Sequence, residues 1–311
     1  MPLLRQTESA YAAKRFLVDR ASKVTIAREL GMSRFRVARL IDEAYENGLV
    51  DVKISTPGDV DWELSSAIQE QFGLASASVV QVTAQDAKTV RSALGPVAAQ
   101  VLRDELRDGD LLGVSVGRSM LDVALSARGL PHCDVVQLTG IAAPNLASGQ
   151  AIPDIMARAS GGSAHLLHSP LTLPDPTIAA AMRNRPINRR SLAKLDHLDI
   201  AIVTIGSWDP PQSQLFETLA DEELRRRILQ TGVLGEVGAT LFLGDGRLSE
   251  DLAPVAIAVS VAQLARARSV IAVAGGPGKA RAIRAALLSD MVSSLVTDGP
   301  TARELLRSPL T

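Results

Sequence analysis

One cysteine in 311 residues, Cys133, rules out an intramolecular disulfide and any zinc site built on cysteines. Aromatic residues make up only 3% of the chain, which weakens any reading based on stacking platforms for single strands or RNA loops. The four histidines, His132, His165, His168 and His197, show no H-x-x-x-H or H-E-x-x-H spacing, so a zinc hydrolase is disfavoured. No G-x-S-x-G nucleophile turn is present, and Gly206-Ser207-Trp208 does not continue as one. No G-x-G-x-x-G follows a predicted strand. The amino-terminal MPLLRQTESAYAAKR lacks an apolar core of signal-peptide length. No uncharged apolar run approaches the ~18 residues of a membrane span; Ala253–Ala265 is shorter and includes Gln263. A soluble, cytoplasmic chain with no metal, no cofactor and no membrane partner is expected.

Net charge is nearly absent too: 33 basic against 34 acidic residues leave −1. Taken alone, that balance argues against a nucleic-acid partner, but it averages over a split. Residues 1–55 hold 10 basic and 7 acidic residues, and within 14–39 the count is eight against two. The remaining residues hold 23 and 27. A basic head on a mildly acidic body is the asymmetry of a nucleic-acid-binding module joined to something else. At roughly 100–200 residues per domain the length suits two domains. With 46% hydrophobic and 22% charged residues, the composition is that of a globular chain.

In the head, Tyr11, Ala12, Phe16 and Leu17 fall at helical spacing and predict a helix over Ala10–Val18. Val24, Ile26, Ala27 and Leu30 form a second stripe that stops at Gly31. Ser33 is an N-cap for a third helix, running through Val37, Leu40, Ile41 and Tyr45 to Asn47-Gly48. Alternation over Leu49–Ser55 predicts a strand. Thr25 to Arg39 therefore has the layout of a helix-turn-helix, and the strand after it suggests a winged variant. Thr25, Ser33, Arg34, Phe35, Arg36 and Arg39 are its candidate DNA contacts. Arginine near the start of such a helix reaches phosphates or reads guanine edges. An αα-hairpin with a solvated basic face is the bland alternative.

Past a linker at Pro57–Asp61 and a helix over Trp62–Phe72, β-rich runs alternate with helical stretches. Strands are expected at Ser78–Val82, Leu111–Val116, Asp134–Thr139, His165–His168, Ile200–Ile205, Val237–Leu243, Ser269–Ala274 and Ser293–Thr297. Helices fall between them at Thr89–Leu106, Met120–Ala127, Ile155–Ala159 and Ala280–Leu287. Such alternation implies a doubly wound, mostly parallel, Rossmann-like α/β sheet, with ligands bound beyond the carboxyl ends of its strands.

Three turns there carry candidate chemistry. Gly113-Val-Ser-Val-Gly-Arg-Ser119 runs from strand to helix. Its backbone N–H groups, with Ser115, Gly117, Arg118 and Ser119, suit an anion such as phosphate. A purely structural turn would use the same glycines. Gln137, Thr139 and Gly140 end a second strand, where Gln137 is either a ligand contact or a satisfied core amide. The third turn, Ala272–Ile283, holds Gly276 and Lys279. It fails as a P-loop because Val273 stands where the first glycine belongs and Ala280 where Ser or Thr would hold magnesium. Lys279 is left as an anion contact or a solvated lysine. The Arg225-Arg226-Arg227 run reads as a solvated helix face.

Taken in order, these motifs resemble the SorC family of bacterial transcription regulators over nearly the whole chain. The resemblance is carried by Thr25–Val50, Leu112–Ser119 and Val136–Gly140. It continues through Asp199–Gly206, Gly232–Val237, Ala272–Leu287 and Leu295–Ala302. It implies a head at 1–55 and, at 56–311, a sugar-binding domain with the fold of sugar-phosphate isomerases and deaminases. It further implies a homo-oligomer, dimer or tetramer, whose affinity for a double-stranded operator responds to a sugar or sugar phosphate. By position, Gly117, Arg118 and Ser119 would meet the phosphate, and Gln137, Glu236 and Lys279 the sugar end. The chain departs from the family pattern at Ser119 (usually Thr), Ile141 (commonly Gly) and Glu236 (commonly Asp). The rival readings are a sugar-phosphate isomerase or deaminase with an accessory DNA-binding head, for which Glu236 is the available general base, and a dinucleotide-sensing repressor.

Overall fold

The computed structural model describes residues 3–51, 59–142 and 146–307. The chain forms two compact units, Met1–Thr56 and Pro57–Thr311.

The first unit is helical: α1 (Leu3–Leu17), α2 (Lys23–Glu29) and α3 (Arg34–Glu46). Ser22 and Ser33 cap α2 and α3, accepting the backbone N–H of Thr25 and Arg36. Gly31, at φ +64°, makes the turn between the helices in a conformation that costs a side-chain-bearing residue ~1–2 kcal/mol. Ala12, Ile26, Val37, Leu40 and Ile41 form the core. The first helix begins seven residues earlier than its apolar spacing predicts, because the face it buries is small: Ser9, Ala12 and Ala13. Tyr11, Phe16, Leu17 and Val24, expected on buried stripes, are exposed. Arg5 pairs with Glu43, and Arg15 with Glu29 and Asp19, tying the three helices together. Leu49–Asp51 form no strand, and the rest of the expected wing strand lies outside the described residues.

The second unit opens with α4 (Trp62–Phe72), β1 (Ser76–Val80), α5 (Ala87–Glu105), β2 (Leu111–Val114), α6 (Arg118–Ser126) and β3 (Asp134–Gln137). Next come α7 (Leu146–Ser160), β4 (Ala164–His165), α8 (Pro176–Asn184), α9 (Pro186–Lys194), β5 (Ile200–Thr204), β6 (Gly206–Trp208) and β7 (Pro211–Gln212). After α10 (Gln214–Thr218) and α11 (Glu222–Gln230) follow β8 (Val233–Val237), β9 (Thr240–Leu243), β10 (Leu248–Ser249), α12 (Val261–Leu264), β11 (Ser269–Val273), α13 (Ala280–Leu288), β12 (Ser294–Asp298) and α14 (Gly299–Arg307).

Seven strands form one parallel sheet in the order β1-β12-β11-β5-β2-β3-β4. Alternate strand residues feed two apolar layers, one on each face. Val79, Val136, Ala201, Val203, Ala272 and Leu295 pack with α4, α13 and α14. Val80, Val135, Ile200, Ile202, Ile271 and Val296 pack with α5, α6 and α7. Burial on both faces explains why these strands read as continuous apolar runs rather than alternating ones. From β2 the chain steps through β3 and β4 to one edge. From β5 it steps through β11 and β12 toward the other. The order thus reverses between β2 and β5, and their carboxyl ends bound a crevice.

A smaller antiparallel sheet, β10-β9-β8-β6-β7, lies outside the expected pattern. The single strand expected over Val237–Leu243 is instead a hairpin of β8 and β9 that turns at Gly238-Ala239. Its core holds Trp208, Leu215, Ile228, Val233 and Leu241. The expected strand at His165–His168 shortens to β4. The arginine run falls on α11, where Arg225 pairs with Glu222 and Arg226 with Glu223. Among the described residues no helix is long and apolar enough to cross a membrane.

Candidate functional site

A cavity of about 410 Å3 opens at the carboxyl ends of β2, β5 and β11, within the usual size range of small-ligand sites. Ser115 joins the two strands at the crevice. Its N–H donates to the Ile202 carbonyl (3.0 Å), and its Oγ accepts the Thr204 N–H (3.1 Å). Gly117 precedes α6 and offers no side chain to cap it, so the first N–H groups of that helix are left for an external acceptor. Arg118 and Ser119 follow on its first turn. On the far wall, Asp298 accepts the Gly276 N–H (2.6 Å) and the Thr301 hydroxyl (2.7 Å), which fixes the Gly275–Gly278 turn above β11.

Glu236 is buried at the cavity wall. Its Oε1 accepts Ser213 Oγ (2.6 Å), and its Oε2 accepts the indole N–H of Trp208. The carboxylate lies over Gly206, where any Cβ would collide with it. Burial pushes the Glu236 pKa up to about 7, against the hydrogen bonds from Ser213 and Trp208 and the charge of Lys279. Lys279 donates to the Ile205 carbonyl (3.0 Å). Burial holds its ammonium below the ordinary lysine value; Glu236 opposes this, and the cations Arg118 and Arg91 add to it.

Three cations thus converge on the cavity. Arg91 comes within 3.8 Å of Asp122, and Arg118 within 3.9 Å of Glu217. Neither guanidinium makes a hydrogen bond among the described residues, whereas Arg183, Arg225, Arg268 and Arg281 all do. Donors left open around an uncaped helix start are what a phosphate or carboxylate group requires.

The Glu236 proton gives a pH-dependent expectation. The folded state holds it more tightly than the unfolded chain, whose glutamate titrates near 4.5. Its contribution to stability therefore declines as pH rises from about 4.5 to about 7 and is level above that. Glu236→Gln keeps acceptor and donor for Trp208 and Ser213 but cannot ionise. Relative to wild type, its unfolding free energy should rise across that window by about 2–3 kcal/mol. Urea titrations at pH 4.5 and 8 measure it; a difference independent of pH would refute the shift.

In the first unit, Arg34, Phe35, Arg36 and Arg39 are exposed on α3. Ser33 is occupied as its cap. Thr25 is exposed on the first turn of α2, with Oγ1 2.9 Å from Ser22 Oγ. The buried residues Val37, Leu40, Ile41 and Ala44 define the opposite face. α3 thus has one buried apolar face and one exposed face that carries three arginines.

Of the residues singled out in the sequence, Ser115, Gly117, Arg118, Ser119, Thr139, Glu236, Gly276 and Lys279 line the cavity. Gln137 and Gly140 do not. Gln137 is the core amide: its Nε2 donates to the Thr139 carbonyl (2.6 Å), and its Oε1 accepts the Leu167 N–H (3.3 Å). Gly140 packs against the Pro170 backbone. Ala87, Arg91, Thr204, Gln212, Ser213 and Gln214 line the cavity without a sequence signal that singled them out. Arg91 lies on a long amphipathic helix, where an arginine reads as surface. Thr204 was legible only as the last polar residue of a buried strand, the position from which ligand contacts come in such sheets.

The fold is that of a sugar-binding regulator domain. The family model described as "Putative sugar-binding domain" matches residues 59–307, and the chain belongs to that family. The transcriptional regulator LsrR of Klebsiella pneumoniae is 27% identical over 292 residues, 93% of this chain and 89% of that protein. The deoxyribonucleoside regulator of Bacillus subtilis is 26% identical over 308 residues, 97% of this chain and 98% of that one. The crystal structure of the full-length sorbitol operon regulator SorC from Klebsiella pneumoniae superposes with a TM-score of 0.72 at 24% identity. It covers 97% of this chain and 99% of that one. The resemblance to SorC-type regulators read from the sequence is borne out.

Proposed function

We propose that this protein is a DNA-binding transcriptional regulator of a carbohydrate-metabolism operon, whose operator affinity is set by a sugar effector bearing an anionic group. The observation that carries the reading is the convergence of Arg91, Arg118 and Lys279 on the uncapped start of α6, in a cavity at the sheet's switch point. Phosphate fits there: the helix start supplies N–H groups and the arginines supply charge-assisted donors. Ser115, Ser119 and Thr139 are left for hydroxyls, with Glu236 in the wall beside them. Arg91 is added to the effector contacts, and Gln137 and Gly140 are assigned to the frame around them.

On the DNA side, the heads act in pairs on a partly palindromic operator with half-sites about 34–36 Å apart, which requires a homo-oligomer in the cytoplasm. The effector shifts affinity only by its different affinities for the two states; ~1–3 kcal/mol is usual. Arg36→Ala and Arg39→Ala should each weaken binding to a duplex selected from a random library by roughly 5–150-fold, the worth of one base contact. Fluorescence anisotropy measures this. Wild-type affinity in both variants would remove α3 from the interface.

The enzyme reading has one observation in its favour, a carboxyl group titrating near neutrality beside a lysine. Both Glu236 oxygens are, however, already engaged by Trp208 and Ser213, so the group is held as an acceptor rather than left open as a base. Turnover assays with sugar phosphates separate the two, and none is expected.

A further inference from the structure

Phe35 is one of several large apolar side chains that the fold of the first unit leaves exposed, with Leu3, Leu4, Val18 and Val24 among the others, and the one that stands among arginines on α3. It is 73% exposed, on the first turn of α3 and outside the core of Ala12, Ile26, Val37, Leu40 and Ile41. A single exposed apolar side chain is ordinary on a protein surface, so it is its surroundings that point to a partner. The surroundings say which kind. The Arg34 guanidinium lies over its ring, 4.9 Å from the centroid, and Arg36 and Arg39 are exposed on the same outward half of the first two turns. The second half of the helix is acidic: Asp42 and Glu46 are exposed there, and Glu43 is bound to Arg5. The charge along α3 therefore admits a polyanion at its amino-terminal end and repels one at its carboxyl end. Phe35 stands where the base edges would be met.

We propose that Phe35 is a sequence-reading residue that packs on the 5-methyl group of a thymine in the major groove, with Arg34 holding its ring in place. Thymine is the one base that presents an apolar group there, and contact with that methyl is a recognised mode of readout. The inference rests on α3 being the recognition helix and goes beyond it by assigning a base and an atom.

The test uses the full-length protein and a duplex selected by it from a random library, in which each thymine is replaced singly by deoxyuridine, removing only the methyl. At one thymine per half-site, wild type should lose about fourfold in affinity, the value of one buried methyl group. Phe35→Ala should bind the parent duplex more weakly and no longer distinguish it from the deoxyuridine duplex. Because Phe35 is exposed and outside the core, the variant retains the fold. The wild-type comparison stands in any case without it. The proposal is overturned if no single thymine-to-deoxyuridine change costs wild type more than twofold, or if Phe35→Ala keeps the wild-type ratio. A Phe35→Ala variant that changes oligomeric state while keeping that ratio would move Phe35 to a contact between copies and also overturn it. Failure to select any duplex would defeat the DNA-binding reading itself, an outcome distinct from the others.

Discussion

Lys279→Met should cost roughly 10–150-fold in effector affinity, the scale of a lost charge-assisted hydrogen bond in a partly desolvated site. Methionine preserves the length of the side chain and removes the charge, so packing against α13 is kept. Lys279 sits with Arg118 and Arg91 around one cavity, and its amine already spends one donor on the Ile205 carbonyl. Among the described residues its ammonium makes no other hydrogen bond, and Lys279 lines the cavity. The measurement is the rise in unfolding temperature on adding a panel of phosphorylated and free sugars, since a ligand that binds only the folded state raises apparent stability. Wild type should respond to at least one phosphorylated sugar, and Lys279→Met to none at the same concentration. Affinity for a selected duplex without effector should be unchanged, because the first unit folds on a core of its own, Ala12, Ile26, Val37, Leu40 and Ile41. An unaltered thermal response would take Lys279 out of the site.

Gly140→Ala should be a severely damaging single methyl addition close to the cavity. A Cβ there would stand 2.4 Å from the Pro170 carbonyl oxygen and 2.8 Å from that of Ser169. Both obstacles are backbone and cannot swing aside. The strap they belong to is tied in from both sides: Ile141 N–H donates to the Ser169 carbonyl (3.0 Å), and Ile257 N–H to that of Leu171 (2.8 Å). We expect a loss of about 3 kcal/mol or more in unfolding free energy, at the upper end for overpacking. At the usual scaling for a domain of this size, that lowers the midpoint by about 6–12 °C. Gly129→Ala is the control. It has φ +56° but open space around it, so only the conformational cost of roughly 1–2 kcal/mol applies. Equal effects of the two substitutions would show that crowding at Pro170 does not matter. The comparison also separates two roles for Gly140, since a ligand contact would spare stability and alter affinity.

These two residues mark the boundary of what the primary structure revealed. Lys279 was legible because strand, glycine turn and first helical turn follow one another within a dozen residues. Gly140 stood out in the sequence as a candidate ligand contact, but the crowding that demands a glycine there did not: Pro170 reaches it from thirty residues away. The short strands at Gly206–Trp208, Pro211-Gln212 and Leu248-Ser249 are too brief for any periodicity to register. They pair only because the larger sheet brings them together.

The sequence by itself determined the helix-turn-helix, the parallel sheet and the division of charge hidden in a net of −1. Each of these rests on local spacing: a cap three residues from its N–H, a stripe at i, i+3 and i+4, an apolar run buried on both faces. Only the tertiary structure decided the membership of the cavity. Arg91, Thr204, Ser213 and Lys279 come from four separate segments, and nothing in their own neighbourhoods says that they converge. It also decided which cations are spent and which are left. Arg5 and Arg15 are bound to carboxylates within the helical unit, while Arg36 and Arg39 have no such ion pair among the described residues. A salt bridge needs both partners within about 4 Å, and that distance is set by folding rather than by order along the chain.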